Sequence, residues 1–120
     1  MNKVLCAVVF TAAVAGSSTS AHHSYAAYHT DRLIEIEGIL EELEWINPHA
    51  LLKVRTEDSR LYTAEWRGPY AMRRFGIRSD TLQKGDRLVI TGNPRRDLDE
   101  SGVVNLKSIR RLDDGWRWPT

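Results

Sequence analysis

Residues 33–45, with the sequence LIEIEGILEELEW, decide the fold class of this 120-residue chain. Apolar residues alternate with glutamates along the first half of the stretch, which is the period of a strand with one buried and one exposed face. The alternation slips at residues 41–42, after which Leu43 and Trp45 continue the apolar face. Such a slip, with Gly38 inside the strand, predicts a β-bulge or a sharp bend of the kind that closes a small barrel.

Four more strands and one short helix follow this first strand. The predicted strands cover residues 50–55, 61–66, 87–91 and 103–109. Gly68-Pro69 ends the third strand, and residues 70–75 are predicted to form one or two helical turns that stop at Gly76. Residues 92–101 read as a charged loop, and residues 113–120 as a tail with two tryptophans.

This order of elements predicts a mainly β protein. Five short strands with a helix between the third and the fourth are the order of an OB-fold barrel. An SH3-like barrel is the second choice, and an antiparallel sandwich remains open. We expect the domain to span residues 33–112, preceded by an N-terminal segment over residues 22–32.

The first 21 residues have the pattern of a secretory signal peptide. Residues 1–3 are positively charged, residues 4–16 are apolar, and residues 17–21 are small. The apolar run is shorter than the roughly 20 residues that span a bilayer, so we expect a cleaved signal and no transmembrane segment in the mature protein. The only cysteine, Cys6, would leave with the signal. The predicted location is the bacterial periplasm or the outside of the cell, after cleavage near Ala21.

The charges of the mature chain balance. Removal of 21 residues leaves 99 of the 120, with 16 basic and 16 acidic side chains. Residues 22–66 carry nine acidic and four basic residues, whereas residues 67–120 carry seven and twelve. A net charge of zero argues against a nucleic-acid partner, and we expect the two halves to neutralise each other across one barrel.

The histidines point to a metal. All four lie within residues 22–49, and an N-terminal His22 could chelate an ion with its α-amine and imidazole. His23, His29 or His49 would complete a nitrogen-rich site for Cu(II) or Zn(II), and the predicted metal ligands are His22, His23 and His49. The alternative is that His22 and His23 sit on a frayed terminus while His49 caps a turn.

Two motifs suggest a ligand site. Residues 45–49, WINPH, join the first two strands, where an OB-fold has one wall of its ligand groove. Asn47-Pro48 sets the turn, while Trp45 and His49 are free to contact a ligand, unless Trp45 is a core residue. Residues 65–74 place arginines near a helix start, where they bind an anion or form a solvated face. The predicted ligand-binding residues are Trp45, Asn47, His49, Trp66, Arg67 and Arg74.

Several of these motifs together resemble a family of small exported bacterial proteins of unknown function. The resemblance rests on the mature start Ala21-His22-His23-Ser24, the Trp-x-Asn-Pro-His motif at residues 45–49, Gly68-Pro69 and the Lys-Gly-Asp turn at residues 84–86. It implies an OB-type barrel behind a signal peptide and no particular activity.

The residues themselves favour a binding protein over an enzyme. The chain has no G-x-S-x-G elbow, H-E-x-x-H motif or phosphate loop. We expect a small periplasmic binding protein, with a divalent metal as the candidate ligand. The alternative is a cell-envelope module that contacts a protein or lipid partner through a Trp/Arg surface, and a hydrolase with a His-bound metal comes third.

Overall fold

The protein is described by a computed structural model that covers residues 23–120. The elements in chain order are α1 (His23–Ala26), β1 (Ile34–Glu44), β2 (Leu51–Arg55), β3 (Leu61–Glu65), α2 (Pro69–Arg73), β4 (Arg87–Pro94), α3 (Leu98–Ser101), β5 (Val103–Arg111) and β6 (Arg117–Trp118). The predicted signal peptide and His22 lie outside the described residues. Within residues 23–120, no helix has both the length and the apolar character needed to cross a membrane.

Five of the strands close into a barrel. The neighbours run β3-β2-β1-β4-β5, and a further pairing of β3 with β5 completes the circle. That last pairing is parallel, from Thr63↔Val103 to Glu65↔Asn105, whereas the other pairs of the barrel are antiparallel. With α2 between β3 and β4, the mainly β fold class and the OB-like order predicted from the sequence are confirmed.

The bend in β1 allows this one strand to pair with both β4 and β2. Its first half pairs with β4 up to Ile39, and from Ile39 onward it pairs with β2. The register shifts between Leu40 and Glu42, which confirms the predicted bulge. At Gly38, just before the changeover, a Cβ would overlap the carbonyl group of Arg55 on β2. Glycine is therefore required where the two strands come closest.

The core fills the barrel with aliphatic side chains from alternate strand positions. Each fully buried leucine or isoleucine contributes about 1.5–3 kcal/mol relative to an exposed one. The largest of the fully buried aliphatic residues on the strands are Leu40, Leu52, Leu88, Ile90 and Ile109.

The C-terminal half contains more structure than the sequence indicates. β4 continues to Pro94 and α3 follows within the predicted loop, because Asn93 and Pro94 are buried and pair with β5. The Asn93 side-chain amide donates a hydrogen bond to the Arg32 carbonyl oxygen at 2.7 Å, which gives this buried polar group a partner. In the predicted tail, β6 pairs with the end of β5 and its Trp118 is buried.

Candidate ligand groove

A groove of about 720 Å³ opens where β3 and β5 separate. Their pairing ends at Glu65↔Asn105, after which the chain leaves β3 for α2 while β5 continues to Arg111. One side of the groove is α2 with the residues after it, and the other side is residues 116–120. We call it the β3–β5 groove, and its volume lies within the roughly 300–1,000 Å³ typical of small-molecule sites. Six of its lining residues are aromatic: Tyr25, Tyr28, Trp66, Phe75, Trp116 and Trp118.

Two indole rings meet in this lining. Trp66 directly follows β3 and Trp118 belongs to β6, and both are buried. Their ring centroids are 5.3 Å apart at an interplanar angle of 72°, which is a T-shaped arrangement. The Trp66 indole N–H is buried and has no hydrogen-bond acceptor within the described residues. The pair connects the end of β3 with the C-terminal strand across the groove.

Arg67 is positioned by aromatic rings and not by a carboxylate. Its guanidinium lies 5.8 Å from the centroid of the Phe75 ring and 5.8 Å from that of Trp118, both within cation–π range. Within residues 23–120 it makes no ion pair. Arg111 on β5 shows the contrast, since its guanidinium is occupied by Asp86 and Asp114. The donors of Arg67 are therefore available to an anion.

The charge of the groove is positive. Lys107 and Arg117 also line it, and neither forms an ion pair in the part of the chain that the structure describes. Glu65 is the acidic side chain in the lining. Burial, followed by the neighbouring Glu65 carboxylate, raises the pKa of Tyr28 well above its ordinary value, so the phenol stays neutral.

The loop between β1 and β2 packs against the end of β3. His49 Nδ1 lies 3.1 Å from the Trp66 carbonyl oxygen. Because a carbonyl oxygen only accepts, Nδ1 is the donor, and in the neutral ring Nε2 then keeps its lone pair. A Cβ on Gly68 would overlap the carbonyl oxygen of Pro48, so the two motifs touch through their backbones. The Asn-Pro-His and Gly-Pro motifs thus belong to one local structure.

Three of the predicted ligand-binding residues line the β3–β5 groove, namely His49, Trp66 and Arg67. Trp45 is half-buried against the core and lines a second, smaller cleft beside Arg73 and Arg78. Asn47 packs near Gly68, and Arg74 caps α2. Neither of these two residues is part of the groove lining.

The predicted metal ligands are only partly described. His22 lies outside the described residues, and of His23 only the backbone, in α1, is described. His49 is exposed at the β3–β5 groove. Over residues 23–120, no group of three or more His, Cys, Asp or Glu side chains is placed to hold a metal ion. The His22–His23–His49 site remains a prediction.

The sequence did not reveal the C-terminal wall of the groove. Trp116, Arg117 and Trp118 lie in the predicted tail, and Lys107 belongs to no recognisable motif, yet all four line the groove. One signal was available: two tryptophans within a short tail have large apolar rings that need a partner surface. That partner, Trp66, is far away in the sequence and close in the barrel.

The fold and the groove define a small OB-type barrel with an open groove lined by aromatic and basic side chains. The chain belongs to the Family of unknown function (DUF6152), whose model matches residues 9–105. Lys107, Arg117 and Trp118 follow the matched region. No curated protein and no solved structure gives a significant match to the chain.

Proposed function

We propose that this protein is exported to the periplasm and binds a small ligand in the β3–β5 groove. The observation that carries the proposal is the concave lining, in which Trp66, Trp118 and Arg67 come together. The Trp and Arg side chains expected on an envelope-contacting surface are gathered in a concavity of small-molecule size, which favours a small ligand over a flat partner surface. Export is supported by the charge, apolarity and small residues of residues 1–21.

Two measurements test this proposal. Mass spectrometry of the protein from a periplasmic fraction should identify an N-terminus near Ala21; an intact Met1 in a cytoplasmic fraction would contradict export. For the groove, the neutral dye N-phenyl-1-naphthylamine should bind the wild type with increased fluorescence. Ala71→Phe places a ring in the groove and should abolish most of that signal.

The control for the groove test is Lys84→Phe, which adds the same ring at an exposed turn position outside the groove. Both variants should retain the thermal unfolding profile of the wild type. Dye binding that survives Ala71→Phe, or no dye binding to the wild type, would contradict a ligand site in the groove.

One observation favours a second candidate, a Cu(II) or Zn(II) site at the same groove. His49 keeps a free Nε2 lone pair because Nδ1 donates to a carbonyl, the arrangement common in metal-ligating histidines. Tyr25, two residues after His23, lines the groove with His49 and brings the N-terminal segment to it.

Calorimetric titration of the exported protein with Cu(II) and Zn(II) tests the metal candidate. Binding should weaken in His49→Ala. An unchanged affinity would confine any metal site to the terminal peptide. If the wild type binds the metal no more tightly than a free peptide does, the site is excluded.

A further inference from the structure

The way in which Arg67 is held indicates the chemistry of the ligand. The half-buried Arg55 and Arg60 pair with carboxylates. Arg67 instead lies near the faces of Phe75 and Trp118, which orient its guanidinium without using its N–H donors. A planar guanidinium that is oriented and unpaired is suited to bind a carboxylate, phosphate or sulfonate with two parallel hydrogen bonds.

The surroundings of Arg67 strengthen this preference for an anion. Lys107 on β5 and Arg117 on β6 line the same groove, so three basic side chains from different parts of the chain share it. Glu65 is the acidic side chain among the described lining residues. An anion in the groove would therefore meet three basic side chains, Arg67, Lys107 and Arg117, against one acidic side chain.

The remaining lining of the groove is aromatic and suits a ligand with a flat ring. Phe75 and Tyr25 line it while remaining 60% and 64% exposed, which is unusual for aromatic side chains. A flat ligand would cover these rings and stack beside the Trp66–Trp118 pair, where offset or edge-to-face contacts are favourable. An anion without a ring would leave this aromatic surface in water.

We propose that the β3–β5 groove selects small organic anions that carry a flat ring system, with Arg67 binding the anionic group and the aromatic lining binding the ring. This inference rests on the proposed function, because it assigns a ligand class to the same groove. It predicts that a ring compound with an anionic group binds better than the same ring compound without it.

Two dyes with one ring system test the inference. The anion 8-anilinonaphthalene-1-sulfonate differs from N-phenyl-1-naphthylamine only by its sulfonate group. Titration of the full chain should give about tenfold tighter binding of the sulfonate, as expected for one charge-assisted contact. Arg67→Gln should remove this difference, so that the variant binds the sulfonate and the neutral dye with similar affinities.

Arg74→Gln is the matched control, because Arg74 is an exposed arginine at the C-terminal end of α2 that does not line the groove. It should keep the wild-type preference for the sulfonate. Near-ultraviolet circular dichroism on each variant checks that the aromatic packing is native, so that the sulfonate dye does not report a loosened core.

The outcomes separate the two proposals. Equal affinities for both dyes, or a sulfonate preference that survives Arg67→Gln, would overturn the anion inference and leave the groove as a ligand site. No binding of either dye would overturn both. Vesicles of an anionic phospholipid give a further arm: if they bind the chain in an Arg67-dependent way while the sulfonate dye does not, the anion is a membrane headgroup and the inference is overturned.

Discussion

Replacing Trp118 with alanine tests whether the last strand is an integral part of the barrel and of the groove. Trp118 is 9% exposed, although it belongs to a strand of two residues near the C-terminal end of the described chain. Its ring packs against Trp66 and carries the Arg67 guanidinium on its face. Truncation should therefore affect both stability and ligand binding.

The burial of the Trp118 ring determines how much free energy of unfolding the variant should lose. Removing a buried aromatic ring to alanine costs about 3–5 kcal/mol, which includes the cavity that remains. A short terminal strand can partly collapse into that cavity, which places Trp118→Ala at the lower end of the range, about 3 kcal/mol. In a domain of this size such a loss lowers Tm by roughly 12–24 °C.

Urea unfolding followed by far-ultraviolet circular dichroism measures the free energy of unfolding. Trp118→Phe keeps a ring against Trp66 and should lose only about 1 kcal/mol. Trp116→Ala removes a ring that is half-buried and should lose less than Trp118→Ala. A Trp118→Ala protein within about 0.5 kcal/mol of the wild type would refute the reasoning, because a change of that size is typical of an ordinary surface residue.

Three further predictions concern stability. Gly68→Ala should lose about 1–3 kcal/mol in urea unfolding, because the new methyl group forces the Pro48 carbonyl to move; an unchanged midpoint would contradict the close approach. Burial raises the pKa of Tyr28 in the folded state, so the wild type should lose stability as the pH rises above 10.0, where the tyrosine of the unfolded chain ionises. Tyr28→Phe should lack this part of the alkaline loss, and parallel pH profiles of the two proteins would contradict the prediction. A hydrogen bond from Arg111 lowers the pKa of Asp114, so the stability that this carboxylate contributes is present above its ordinary value of 3.8 and is lost as the pH falls through the folded-state pKa. Asp114→Asn should therefore be less stable than the wild type near neutral pH and converge with it in acid, as measured by urea midpoints across that range.

The five strands of the barrel were predictable because each has a local pattern of apolar residues or turn signals. The alternation in residues 33–45 depends only on which face of a strand meets the core, and the slip at residues 41–42 is the bulge itself. Gly68-Pro69 marks the entry to α2 for an equally local reason, since proline suits the first helical turn. Local backbone preference and side-chain period are readable without knowing the partner strand.

The groove was only partly predictable. His49, Trp66 and Arg67 stood out because each lies in a motif next to a turn. Their counterparts on the other wall did not, since Lys107 and Arg117 occur in segments with no motif of their own. Asn93 and Pro94 were read as loop residues, yet β5 covers them and the Arg32 carbonyl satisfies the asparagine. Such contacts depend on partners that are remote in the chain.

The sequence by itself determined the β class, the order of strands and helix, and the bend in β1, because these follow from the period of apolar residues and from turn chemistry between neighbours. Only the tertiary structure decided that β3 and β5 pair for three residues and then part, that Trp118 returns to Trp66 at this opening, and that Arg67 lies between two rings. A ring or a guanidinium takes its role from what it touches, and both Trp66 and Arg67 contact Trp118, which is remote from them in the sequence.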